Sequence, residues 1–245
     1  MVTLLYLKRD HYESTHYECD ILALSILEEC PWAGNPAGRE RIESSTSITD
    51  ARVQRWLTLT SNHDTTLYRH SRHVGELTAV FAATLGYSPY DRRRLVQAAL
   101  LHDIGKTYIS LRLLTKPEGL SAKEVQEMRL HPEIGYTALV TEGGHDKHML
   151  EVVRHHHERL NGSGYPGGLG GAELSDAVRM VTICDIYAAM TEARPYRVPL
   201  SPQDALSLMK SMGEQIDQKL VDAFTKADVC NSIAVKRRDL ARCFA

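Results

Sequence analysis

Residues 99–106 read "ALLHDIGK". An apolar helical run drives straight into a histidine and an aspartate, then into Ile-Gly-Lys. Adjacent residues on a helix point about 100° apart, so His102 and Asp103 share no face, yet both reach a site lying between their directions. A single His-Asp pair is ordinarily a hydrogen-bonded surface couple. Here Gly105 ends the helix and frees the chain to bend, which brings Lys106 close to the pair.

Working outward, the same 3.6-residue periodicity recurs almost throughout. "DARVQRWLTLTSN" (50–62) and "HSRHVGELTAVFAATLG" (70–86) carry apolar residues at three and four spacing, and the second stops at Gly86. "SPYDRRRLVQAALLHDIG" (88–105) opens on Ser-Pro. "SAKEVQEMRLHPEIGYTAL" (121–139) opens on a Ser with Glu three residues later, the capping-box pattern, and Pro132 forces a kink or restart. "KHMLEVVRHHHERL" (147–160), "DAVRMVTICDIYAAMTEA" (176–193) and "SPQDALSLMKSMGEQIDQKLVDAFTKA" (201–227) complete the set. No alternating strand pattern and no repeat of 20 to 50 residues interrupts it. The expectation is an all-α bundle.

Before residue 50 the pattern changes. One amphipathic helix, "ECDILALSILEEC" (18–30), is followed by the turn-rich "PWAGNPAGRERIESSTSITD" (31–50). Residues 1–50 are therefore read as a small N-terminal appendage that packs on the bundle, forms a homodimer contact or gates a pocket, and 51–245 as the main domain. A net charge of -2 argues against a general DNA or polyanion binder while permitting a local basic pocket. Five cysteines without C-x-x-C spacing suggest reduced thiols in a cytoplasmic protein. The charged start "MVTLLYLKRD" is too short for a signal peptide, and no apolar run reaches membrane-spanning length.

The unusual total is twelve histidines. His131 precedes Pro132. His156 and His157 sit in "RHHHERL", with His155 turned elsewhere. Asp185 is embedded among Val181, Ile183, Ile186 and Ala189, where a carboxylate needs a cation or donors. His70 adds an imidazole upstream. Nitrogen and oxygen donors without cysteine suit Mn, Fe, Ni or Zn. A carboxylate such as Asp103 can bridge two metals, an arrangement built for phosphoester hydrolysis. His63, His73, His145, His148, His11 and His16 read as ordinary exposed histidines. Glu158 either orients a neighbouring imidazole or is solvated.

Three motifs in order, "HDIGK" (102–106), "HHERLNGSGYP" (156–166) and "RPYR" (194–197), resemble the HD-GYP subgroup of the HD-domain metal-dependent phosphohydrolases across roughly residues 52 to 228. The resemblance implies an HD-domain helical bundle with a di- or trinuclear metal centre, usually iron or manganese, that hydrolyses cyclic di-GMP. It implies metal ligands at His70, His102, Asp103, His131, His156, His157 and Asp185. Lys106 matches a phosphate-facing lysine, and Tyr165, Arg194 and Arg197 match positions that hold the nucleotide. Tyr165 would stack on or bond to a base. Thr66 stands where third-metal members resemble one another in carrying glutamate, which favours two divalent ions and linear pGpG as product rather than GMP. Asn161 and Ala188 each replace an aspartate of the usual pattern, bearing on rate and metal preference. Rival readings are a cyclic di-GMP-sensing module that docks to a diguanylate cyclase domain, and a hydrolase of another cyclic dinucleotide such as cyclic GMP-AMP.

Overall fold

The computed structural model describes residues 51–193 and 198–229. The N-terminal helix and linker expected before residue 51, together with Arg194 and Arg197, lie outside them. Helix α1 spans Ala51–His63, α2 Thr65–Thr84 and α3 Pro89–Leu101, followed by a 3-10 turn at Ile104–Tyr108 and a short α4 at Leu111–Leu114. Then come α5 (Ala122–Met128), α6 (His131–Glu142), α7 (Lys147–His155), α8 (Asp176–Thr191), α9 (Pro202–Ser211) and α10 (Gln218–Lys226). The described residues contain one isolated β-bridge, Asn161 with Gly170, and no strand. The all-α expectation holds.

Local chemistry sets the element ends. Asp64 caps α2, its Oδ1 accepting from the amides of Thr66 (2.6 Å) and Leu67 (3.1 Å), so this helix starts five residues earlier than its apolar periodicity suggested. It ends at Gly86, which takes φ +79°. Ser88 and Pro89 open α3, and Ser121 with Glu124 forms the expected capping box. Pro132 restarts the chain as α6. Two expectations need correction. The 201–227 stretch is two helices, broken where Gly213 adopts φ +55°. Helix α7 stops at His155; His156 is its C-cap and His157 lies in the following turn.

The core is continuous among α1, α2, α3, α7, α8 and α10. Val74, Leu77 and Phe81 of α2, Ala98, Ala99 and Leu101 of α3, Val152 and Val153 of α7, and Val181 and Ile183 of α8 are all buried. Phe224 of α10 meets Phe81 edge-on with centroids 5.1 Å apart, closing the bundle's far end. At the other end the 3-10 turn presses against α6. A Cβ on Gly105 would collide with the His131 carbonyl and come within 2.7 Å of the Gly135 amide nitrogen. Only glycine permits this approach, which brings the 102–106 turn against His131.

Candidate metal centre

The seven donors expected from sequence converge. His70 comes from α2, His102 and Asp103 from the end of α3, and His131 from the first residue of α6. His156 and His157 follow α7, and Asp185 is midway along α8. His70, His102, Asp103, His131, His156 and Asp185 are buried, and His157 is partly so. Two groups could each hold a cation: Asp103, His131, His156 and His157 form one, and His70, His102 and Asp103 the other. Asp103 belongs to both. His102, His156 and Asp185 also lie within ligating distance of one another.

Backbone hydrogen bonds determine which ring nitrogen faces the cluster. His102 Nδ1 donates to the Ala99 carbonyl (2.7 Å), and His131 Nδ1 to Met128 (2.8 Å). His156 Nδ1 donates to Val153 (3.1 Å), and His70 Nδ1 to the Glu192 carboxylate (2.8 Å). All four therefore turn Nε2 towards the cluster, the ring nitrogen through which each could bind a metal.

The inward atoms fit cations and little else. His131 Nε2 and His156 Nε2 face each other at 3.3 Å. With both Nδ1 protons committed to carbonyls, two lone pairs oppose each other, and a cation is the partner that relieves this. Burial lowers the pKa of His131, and lowers His156 to about 4, so neither ring holds a second proton at neutral pH. His102 Nε2 is buried with no hydrogen-bond partner. Asp103 Oδ1 is also buried and lies 3.1 Å from His131 Nε2 without hydrogen-bond alignment.

The carboxylates are held ionised. Burial would raise Asp103, but Lys106 and His102 outweigh it and keep it well below its ordinary value. Lys106 Nζ donates to Asp103 Oδ2 at 2.6 Å. Asp185 is likewise kept well below its ordinary value against the pull of burial, chiefly by the His70 hydrogen bond (3.0 Å). For His70 burial works downward, yet Asp185 and Glu192 raise it to about 9.

Two residues escaped sequence reasoning. Glu192 accepts from His70 and from His73 Nδ1 (2.8 Å), orienting a donor from behind. Its position seven residues after Asp185, at the C-cap of α8, was the available signal. Glu158 is neither solvated nor directed at an imidazole. It is 2 % exposed, and its carboxylate accepts from the amides of Gly167 (2.6 Å) and Leu169 (3.1 Å), stapling the glycine loop. Gly164 sits so close that a Cβ would strike the Glu158 and Arg159 backbone.

Tyr165 rides on this loop. Its ring stacks on His157 (4.8 Å, 24°), and the Arg129 guanidinium lies 5.0 Å over the same ring. Asn161 points into the loop, its Oδ1 accepting from Ser163 N (3.2 Å) and Oγ (2.7 Å), a role aspartate would fill equally. Ala188 is fully buried, and Thr66 is exposed in the first turn of α2. His155 joins none of the ligand groups. His148 is exposed as expected, whereas three other histidines read as exposed are not. His63 reaches the Ile109 carbonyl (3.0 Å), His73 meets Glu192, and His145 meets Glu142 (2.7 Å). A cavity of about 350 Å³ lined by Tyr87, Arg94, His148 and Asp176 contains none of the cluster residues.

A buried His/Asp cluster at the end of a helical bundle, built around adjacent His102 and Asp103, defines the class. The family profile described as "HD domain" matches residues 57–220, and the chain belongs to that family. Among relatives, it is 35% identical over 160 residues to the cyclic di-GMP phosphodiesterase PA4108 of Pseudomonas aeruginosa, covering 65% of this chain and 39% of that one. It is 36% identical over 160 residues to 3′3′-cGAMP-specific phosphodiesterase 3 of Vibrio cholerae, covering 64% and 34%. The chain thus spans about two fifths or less of these two relatives. The solved structure of Bd1817, an HDG"Y"P protein from Bdellovibrio bacteriovorus, shares the fold with a TM-score of 0.55 at 21% identity, covering 64% of this chain and 50% of that one. No described helix is long and apolar enough to cross a membrane.

Proposed function

We propose that this chain is an HD-GYP phosphodiesterase that opens cyclic di-GMP to linear pGpG. The observation that carries the reading is the convergence of inward Nε2 atoms and two ionised carboxylates on one buried point of an HD-family bundle. Residues 51–245 form the catalytic domain, and residues 1–50 a separate N-terminal region. His70, His102, Asp103, His131, His156, His157 and Asp185 would hold two divalent cations. Iron or manganese suits these donors best, with nickel, zinc or magnesium as substitutes. Such ions supply Lewis-acid polarisation of a phosphoryl oxygen and activation of water at neutral pH.

The chain's own groups do the rest. Lys106, fixed 2.6 Å from Asp103, places a cation beside the cluster where charge develops on the non-bridging phosphoryl oxygens. Water adds at phosphorus, the bond to the 3′ oxygen breaks, and that oxygen takes up a proton. Tyr165, held over His157 by the Glu158 staple, presents its hydroxyl to the nucleotide, and Arg194 and Arg197 contact phosphate or guanine edges. Without a carboxylate at Thr66 the residues present would hold two ions rather than three, and linear pGpG is the expected product.

A second reading, hydrolysis of 3′3′-cGAMP, is favoured by the relative named for that substrate. The test is to purify the chain under reducing, low-oxygen conditions, count metals, and offer both cyclic dinucleotides with Mn or Fe. Turnover of cyclic di-GMP to pGpG is expected. Bound metal and an intact fold with no turnover of either would leave a sensing module, docked to a diguanylate cyclase domain or to a second copy, in its place. Turnover that survives combined His102→Ala and Asp103→Ala substitution would refute the site assignment.

A further inference from the structure

We infer that Arg129 is a substrate-recognition residue of this site, whose guanidinium binds the phosphodiester of the cyclic dinucleotide that is not being cleaved. The inference rests on the cyclic-dinucleotide reading above and assigns a subsite to it.

Three observations carry it. The first is placement. Arg129 is the C-cap residue of α5, and Met128 beside it supplies the carbonyl that holds His131 Nδ1 at 2.8 Å. The backbone bearing the arginine is thereby tied to a candidate ligand. The second is the stack. Arg129 lies 5.0 Å over the Tyr165 ring, and that ring stacks on His157. One ring separates the guanidinium from the cluster.

The third is an unspent valence. Several cations of the bundle are committed: Lys106 to Asp103, Arg94 to Asp146, Arg154 to Glu133, Arg179 to Asp217. Among the described residues Arg129 has no carboxylate partner, and its recorded contact is with the face of a ring. No hydrogen bond or ion pair to another described residue engages its guanidinium N–H groups, and that planar fork matches two phosphate oxygens. Arg129 is also exposed, so its donors open to an arriving ligand. A cyclic dinucleotide carries two phosphodiester anions. The cluster and Lys106 serve the one that reacts, and the other needs a cation at the rim.

The test compares wild type, Arg129→Met and Arg129→Lys, all metal-loaded. It reads metal content, steady-state kinetics on cyclic di-GMP, and equilibrium binding of a phosphorothioate cyclic di-GMP that resists hydrolysis. Loss of one charge-assisted contact should raise KM and the analogue Kd of Arg129→Met by about 10- to 100-fold. The turnover number should change by less than about threefold, because the contact is made equally in ground and transition states. Arg129→Lys, which keeps the charge but not the fork, should recover part of the affinity. Unchanged KM and Kd in Arg129→Met overturns the inference. So does loss of metal in step with affinity, which would mean Arg129 acts only by holding Tyr165 against His157. If wild type binds the analogue through Arg129 yet turns nothing over, the hydrolase reading falls and this one stands. If wild type does not bind it, both fall.

Discussion

Glu158 gives the sharpest test of how the glycine loop is held over the cluster. Its buried carboxylate receives two backbone N–H bonds, from Gly167 and Leu169, and the imidazole nearest to it, His155, keeps its Nδ1 3.9 Å away. Each charge-assisted bond contributes roughly 1.5–3 kcal/mol, so Glu158→Ala forfeits roughly 3–6 kcal/mol before water re-solvates the freed amides. The loop is largely half-exposed, and allowing for that hydration about 3 kcal/mol is lost. At 1.4 kcal/mol per tenfold this is a factor of about 100 in the population of the ordered loop. Glu158→Gln keeps one acceptor and turns an NH2 group towards the other amide, so roughly half of that effect is expected. The assay is residue-resolved hydrogen exchange of the Gly167 and Leu169 amides beside a denaturation curve. Protection should fall about 100-fold in Glu158→Ala, and Tyr165-dependent turnover with it. Unchanged protection at both amides would refute the staple, whatever happens to activity.

Other expectations follow from the same geometry. Glu192→Gln removes the carboxylate behind His70 and should weaken metal affinity by about 10- to 100-fold with little change in fold, read by metal titration. His70 is raised to about 9 in the metal-free protein, so a cation must displace a proton from it below that pH. Affinity should therefore rise with pH up to about 9, by about tenfold per unit from this group, and calorimetry in buffers of different ionisation enthalpy should register proton release; pH-independent binding would contradict the assignment. Gly105→Ala drives a methyl into the His131 carbonyl and should destabilise the bundle by about 3 kcal/mol or more, with loss of bound metal, in a denaturant melt. A wild-type midpoint would show that the turn can move away from α6.

Much of this was legible because helices announce themselves locally. Periodicity, Ser and Asp caps, and the Gly86 stop depend on neighbours a few residues away. The residues of the cluster were reached through motifs, since a histidine in isolation says nothing about where its ring points. What escaped was settled by contacts distant in sequence. Glu158 reads as a surface carboxylate until residues nine and eleven positions later fold back onto it. Glu192 acquires its role only through His70 and His73, more than a hundred residues earlier. The break at Gly213 was hidden because its flanks keep helical periodicity on both sides. His145 lies near Glu142 in sequence, but the Trp56 indole that donates to the same carboxylate comes from α1.

The ends of α3 and α7 carry one more consequence. Both helices point their C-termini at the cluster, with His102 and His156 as their C-cap residues. The aligned peptide dipoles of a helix place roughly half a negative charge at its C-terminus. Two such ends add about one unit of negative potential without a further ionisable side chain, beside Asp103 and Asp185. An arriving cation is attracted by peptide dipoles that no change of pH can titrate away. The bundle is therefore polarised towards positive ions by its chain direction as well as by its side chains. A redesign that rebuilt α3 or α7 with the opposite chain direction would forfeit that attraction even with every imidazole returned to its place.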